Sequence, residues 1–203
     1  MYDKMVIAFD QSYTNTGISV WAGNKDSKPK CVNVGAISFK PGDTHIQKRL
    51  AVKAWLLKAI AKCQQHTDNI IVLTEQIRVF NGGSASMAYI GVTHALVGCI
   101  ADTAYEHGIK TYAVDTRSWK SKVVGDVKPK ANKYYVDPKK WPTVQYVINE
   151  GYEAALLKPV SNRCKHYAKI IDGVKYVYVD DISDAYCIGK YGFVQGRVLN
   201  KIT

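Results

Sequence analysis

The chain is short of acid. Its 203 residues carry 17 Asp and Glu against 28 Lys and Arg, a formal net charge of +11. A balance this basic points to a polyanionic partner, and nucleic acid is the commonest one. An anionic membrane surface is the competing partner, but long hydrophobic runs are also lacking, and no stretch is apolar for long enough to span a bilayer. Met1-Tyr2-Asp3-Lys4-Met5 leads straight into a strand-like run and leaves no room for a secretory leader. Paired cysteines are missing too. Cys31, Cys63, Cys99, Cys164 and Cys187 are odd in number and show no Cys-x-x-Cys spacing. That excludes a disulfide framework and a structural zinc, and Cys164-Lys165-His166 lacks the second ligand pair a zinc site needs. Reduced thiols and no leader give a cytoplasmic expectation. With no internal repeat and no linker, residues 1–203 are expected to form one domain, and 47 % apolar content suffices for its core.

What is present reads as α/β. Met5-Val6-Ile7-Ala8-Phe9-Asp10 is an apolar run ending in an acid, as a central strand buried on both faces would be. A turn-forming stretch leads to a second strand, Ile18–Trp21, and a third at about Cys31–Phe39, joined closely enough for an antiparallel meander. Thr44-x-x-Gln47 is a capping box opening a helix, on which Ile46, Leu50, Ala54, Leu57 and Ala61 recur at helical spacing. Lys48, Lys53, Lys58 and Lys62 are expected in solvent. Asn69–Glu75 is a fourth strand ending in an acid, and a helix then runs to about His107, with Gly108 placed to cap it. On that helix Gly91, Ala95 and Gly98 form a small-residue track open to close approach by another helix. Lys110–Asp115 reads as a fifth strand, followed by a helix from near Arg117. A further helix is expected from Pro142 to Lys158, closed by Pro159. Asp172-Gly173 marks a two-residue hairpin just before the closing helix. The expected sheet is mixed and five-stranded: the first three strands antiparallel, the fourth and fifth parallel to the first, helices on both faces.

The closing helix begins Asp180-Asp181-Ile182-Ser183-Asp184-Ala185. Residues three or four apart share a helix face, so Asp181 and Asp184 point one way, with Asp180 also in range of Asp184. Acids do favour a helix N-terminus, and that alone would place Asp180 as N-cap. Yet Asp10 and Glu75 end strands expected to be parallel neighbours, so both carboxylates would emerge at the edge this helix approaches. Four acids converging from distant segments repel one another unless a cation joins them. Oxygen ligands suit Mg²⁺ or Mn²⁺, and two such ions about 4 Å apart activate water for phosphoryl displacement.

Ile7-Ala8-Phe9-Asp10 with Thr14-x-Thr16-Gly17, then Thr74-Glu75-Gln76, then Asp181-x-x-Asp184-Ala185, resembles the RuvC family of Holliday-junction resolvases, which have the ribonuclease H-like fold. Arg117-Ser118-Trp119-Lys120-Ser121-Lys122-Val123-Val124-Gly125 is similar to that family's Arg-x-apolar-Lys-x-x-Val-x-Gly stretch. The resemblance implies a homodimeric, metal-dependent endonuclease that cuts four-way branched DNA. It assigns Asp10, Glu75, Asp181 and Asp184 to two Mg²⁺ or Mn²⁺ ions, and Lys120 to the scissile phosphate. A second basic residue is left between Lys130 and Lys133, and whether Asp180 substitutes for Asp181 stays open. The family often carries an aromatic residue three positions after the glutamate, acting on bases at the junction. This sequence has Arg78 there and Phe80 two further on, and both are assigned to DNA contact.

Arg117, Lys120, Lys122, Lys128, Lys130, Lys133, Lys139 and Lys140 meet only Asp126 and Asp137 over the same stretch, with Trp119, Tyr134, Tyr135 and Trp141 interleaved. The cations suit phosphates. Trp119 reads better as core. Two other enzyme readings compete: a ribonuclease H-like nuclease for other branched or single-stranded DNA, and an actin-like or sugar-kinase ATPase. The ATPase would need a second domain and a second glycine-rich phosphate loop, both absent here. A non-catalytic DNA-binding module would need at least one lost carboxylate, and all four are present.

Overall fold

The computed structural model describes residues 1–77, 87–125, 137–194 and 197–203, with the backbone alone at 87 and 88. Strand β1 (Lys4–Gln11) is the axis of the molecule. It pairs antiparallel with β2 (Asn15–Gly23), which pairs antiparallel with β3 (Lys30–Ser38). On its other side β1 runs parallel to β4 (Ile70–Glu75), and β4 parallel to β5 (Lys110–Val114).

Successive β1 side chains feed two cores. Met5, Ile7 and Phe9 pack with Val52, Leu56 and Ile60 of α1 (His45–Gln64) and Val92, Leu96 and Ile100 of α2 (Met87–Glu106). Val6 and Ala8 face the opposite core, built from Trp119, Val144, Val147 and the apolar side of α6 (Asp180–Tyr191). A strand buried on both faces needs apolar residues throughout, so the run carries no period-2 alternation.

Several expectations are revised. The sheet has a sixth strand, the two-residue β9 (Asn200–Lys201), antiparallel to β5 at the edge. The helix expected over 142–158 is divided. Its first part is α4 (Trp141–Asn149), and Gly151 at φ +89° breaks the path before the short α5 (Glu153–Leu156). The chain then turns into β6 (Leu157–Val160), where an edge position tolerates Pro159. The hairpin of β7 (Lys169–Ile171) and β8 (Val174–Tyr178) turns at Asp172 and Gly173, both with positive φ, and β6 completes a three-stranded sheet with β8 central.

On α1 the stripe of Ile46 and Leu50 faces solvent, at 68 % and 60 % exposed, while Lys48 is buried. Two apolar stripes compete on this helix, and Val52, Leu56, Ile60 and Cys63 win the core. Lys48 is tolerated inside because its Nζ donates to the Tyr13 carbonyl at 2.9 Å and lies 3.7 Å from the Tyr13 ring centroid. The Thr44 capping box forms as expected. All five cysteines are free thiols. Among the described residues no helix is long and apolar enough to cross a membrane.

Candidate active site

Parallel register brings the first two acids together. Phe9 lies opposite Thr74, so Asp10 and Glu75, each one residue on, leave the same edge of the sheet. Helix α6 supplies the others, because it lies across β2 and β1 at close range. A Cβ at Gly17 would stand 1.9 Å from the Asp181 carbonyl oxygen. Only a residue without a side chain lets β2 and the first turn of α6 touch there, which gives the glycine of Thr-x-Thr-Gly a physical role.

Asp10 and Asp184 are buried, at 5 % and 1 % exposed. Burial, then the charges of Glu75 and Asp184, push Asp10 well above the usual carboxylate range, against the pull of Lys140. Asp181 is pushed up to about 6 by burial and then by Asp180, with a hydrogen bond from Ser12 Oγ at 3.4 Å acting the other way. Glu75 is held on one side. Its Oε1 accepts from Thr116 Oγ1 at 2.8 Å and from Trp119 Nε1 at 3.3 Å, and Gln11 Nε2 donates to its carbonyl at 2.7 Å. Thr116 and Trp119 belong to the short helix α3 (Thr116–Trp119), which Asp115 caps through the amides of Arg117 and Ser118. Trp119 is therefore core, as expected, and also a donor to the site.

Among the described residues, one cation stands against these acids. Lys140 Nζ is 2.5 Å from Asp184 Oδ2 and 3.3 Å from Asp180 Oδ2. Burial works against its charge, but Asp184, Asp10 and Asp180 outweigh burial and raise its pKa far above the ordinary lysine value. The sequence placed Lys140 only in the broad basic surface. The signal for its position was indirect: Val144 and Val147 one and two turns along α4 pack in the core of α6, which sets the start of α4 beside Asp184.

The other assigned residues fall differently. Lys120 opens a π-helical turn (Lys120–Val124), with its Nζ 5.0 Å from the Trp119 ring centroid and no ion pair to the four acids. Arg117 is exposed and lines a cleft of about 470 Å³ with Gln11, Glu75, Gln76, Tyr89 and Thr116. Burial and then Asp10 and Asp181 raise the Tyr89 phenol, a neighbour that sequence reasoning missed. Lys122 is exposed. Arg78, Phe80, Lys128, Lys130 and Lys133 lie outside the described residues.

A divalent cation suits this donor set. All the groups are oxygens, and buried Asp184 Oδ1 has no hydrogen-bond partner. As the side chains stand, no three Asp, Glu, His or Cys groups among the described residues are close enough to share an ion. Lys140 occupies the neighbourhood instead.

No family model matches this sequence, and no curated protein matches it. Solved structures do match. Thermus thermophilus RuvC in complex with Holliday junction substrate superposes with a TM-score of 0.61 at 14 % identity, covering 98 % of this chain and 99 % of that one. A second Thermus thermophilus RuvC structure gives 0.60 at 16 %, with the same coverage. The yeast mitochondrial Holliday junction resolvase Ydc2 gives 0.53 at 13 %, covering 91 % of this chain and 75 % of that one. In its sheet order, its helices on both faces and its overall superposition, the chain has the ribonuclease H-like fold of the RuvC resolvases.

Proposed function

We propose that this chain is a metal-dependent, structure-specific endonuclease that resolves four-way DNA junctions. Residues 1–203 act as one nuclease domain, and two copies cut symmetrically as a homodimer. The observation that supports the reading is that Asp10 and Glu75 leave one sheet edge while Asp184 and Asp181 of α6 are near enough to raise Asp10, on a fold similar to that of Thermus thermophilus RuvC in complex with Holliday junction substrate. The net charge of +11 suits a DNA partner.

The four carboxylates would hold two Mg²⁺ or Mn²⁺ ions, which when bound supply an activated water and neutralise charge on the leaving oxygen. Thr116 and Trp119 fix Glu75 through Oε1. Ser12 steadies Asp181. Lys140 holds Asp184 and Asp180 when no divalent cation balances them. Lys120 stabilises charge on the scissile phosphate, for which its Nζ must leave the Trp119 ring. Arg117 and Lys122, with Arg78, Phe80, Lys128, Lys130 and Lys133, form the DNA-binding set. The dimer forms through α1 and α2, where Ile46 and Leu50 are exposed and a Cβ at Gly91 or Gly98 would meet nothing within 4 Å.

Asp184→Asn keeps the shape of the side chain and removes its charge. It is expected to bind a four-way junction as the wild type does while nicking in Mg²⁺ falls by about 10³-fold or more. Cleavage by this variant at the wild-type rate refutes the assignment. A panel of four-way, three-way, flap and linear DNA separates junction resolution from action on other branched or single-stranded DNA.

A further inference from the structure

The β7–β8 hairpin is not needed to build the acid site, yet it is joined directly to it. Strand β8 ends at Tyr178, and Val179 alone separates it from Asp180. At the far end the tip carries three large apolar side chains within five positions. Ile170, Ile171 and Val174 are 54 %, 41 % and 39 % exposed. Ile171 and Val174 are cross-strand partners on one face, and Ile170 points to the other. Scattered exposed apolar residues are ordinary, but a cluster on a projecting tip is not.

The base of the hairpin is stiff. Tyr178 donates to Glu153 Oε1 at 2.5 Å, Lys169 pairs with Glu153 at 2.7 Å, and β6 flanks β8 on the other side. Lys175 Nζ donates to the carbonyls of Asn162 and Cys164 and ties down the neighbouring loop. The turn residues Asp172 and Gly173 have φ of 49° and 77°, the conformation a tight two-residue hairpin requires. The tip is thus held about 15–20 Å from the first acid of α6, at about 3.3 Å per strand residue.

Charge decides what such a tip meets. From Leu157 to Tyr178 the chain carries Lys158, Arg163, Lys165, Lys169 and Lys175 against the single acid Asp172. Cations around an apolar point match phosphates around a base step. Apolar side chains inserted between bases unstack them, and this is cheapest where stacking is already interrupted. We infer that the β7–β8 hairpin is a wedge whose apolar tip enters the DNA at its branch point and sets the distance from branch to cut. The inference rests on the nuclease reading above and adds the element that recognises the branch.

The test replaces Ile170, Ile171 and Val174 together by Thr in the full chain, which keeps β-branched side chains in the strands and removes the apolar tip. Binding is measured in metal-free buffer to a four-way junction with 2-aminopurine at the branch point, and to a linear duplex of the same sequence. Wild-type protein is expected to raise the 2-aminopurine emission. The triple variant is expected to lose that rise and to bind the junction about 10-fold more weakly, a change of about 1.4 kcal/mol, with duplex affinity unchanged. Wild-type emission and junction affinity in a folded variant would overturn the wedge, and so would an equal loss on junction and duplex. In both cases junction-selective nicking by the wild type would leave the nuclease reading standing. A wild type with no preference for the junction would overturn both.

Discussion

The two ends of helix α6 handle charge in opposite ways. At its C-terminal end each cation has its own partner. Lys4 Nζ donates to the Gly192 carbonyl at 2.7 Å, Arg197 Nη1 to the Val194 carbonyl at 3.2 Å, and Lys190 pairs with Glu150 at 2.7 Å. Positive groups at the negative end of the helix dipole are what stability alone would select. At the N-terminal end Asp180 and Asp181 fit the same rule, but Asp184 and Asp10 do not. Asp184 is the fifth residue of α6, beyond the turn over which the dipole acts, and is buried with one oxygen unpartnered. Asp10 is added from β1, and burial, then Glu75 and Asp184, push it well above the usual carboxylate range. Helix capping explains the first end and fails at the second. Like charges held together against their own repulsion are what the proposed divalent ions would relieve.

The largest stability effect is expected where this strained end is fastened to the sheet. Gly17→Ala puts a methyl group into the Asp181 backbone, which a flexible side chain cannot relieve by moving. The loss is expected to be about 3 kcal/mol, a fall in Tm on the order of 10 °C, with nicking lost as Asp181 is displaced. Thermal denaturation measures it, and an unchanged Tm would mean that α6 does not lie on β2 as described.

Lys140→Met sharpens the contrast more gently. Removing the cation that Asp184 and Asp180 meet among the described residues leaves buried acids uncompensated, which costs about 2 kcal/mol for a pair partly open to solvent. The deficit is expected in EDTA and is expected to shrink as Mg²⁺ is added, since a divalent ion would replace the missing charge. Melting curves with and without Mg²⁺ check this. A variant as stable as the wild type in EDTA would show that Lys140 does not balance the site.

This lysine also marks the limit of what the sequence made legible. Asp10 and Glu75 were readable because each ends an apolar run, and parallel pairing then fixes them side by side. The Asp172-Gly173 turn was readable because few residues tolerate those positions, whereas Gly17 was singled out only by the family motif and its contact with α6 is seen only in the structure. Lys140 was one of many lysines in a basic segment, and only the packing of α4 on α6 selects it. Helix α1 misled for a related reason. Its two apolar stripes have the same spacing, and the one that enters the core carries Lys48 with it, sheltered by the Tyr13 carbonyl and ring. The helix expected over 142–158 failed at Gly151 because a glycine inside a helical pattern reads equally as an interruption or a tolerated residue. Lys120 was assigned to the scissile phosphate by family pattern alone, and in the structure its Nζ lies over the Trp119 ring.

The smallest effect belongs to the quiet end. Lys4 is lowered to about 8, by burial and then by Arg197, from an ordinary value of 10.5. Between those two values the unfolded chain binds a proton that the folded chain does not, so stability attributable to Lys4 rises as pH climbs from about 8 to about 10.5. At and below neutral pH the folded protein carries the full penalty of a charged, partly buried ammonium, offset by its bond to Gly192. Solvent screening keeps the gain on the order of 1 kcal/mol. Lys4→Met cannot titrate, so the wild type is expected to gain on this variant between pH 8 and pH 10 in urea denaturation, while nicking at neutral pH stays the same. A difference that stays flat with pH would mean that Lys4 keeps its ordinary proton affinity. A loss of nicking would mean that the two ends of α6 are coupled, and that the cations at its C-terminus help to position the acids at its start.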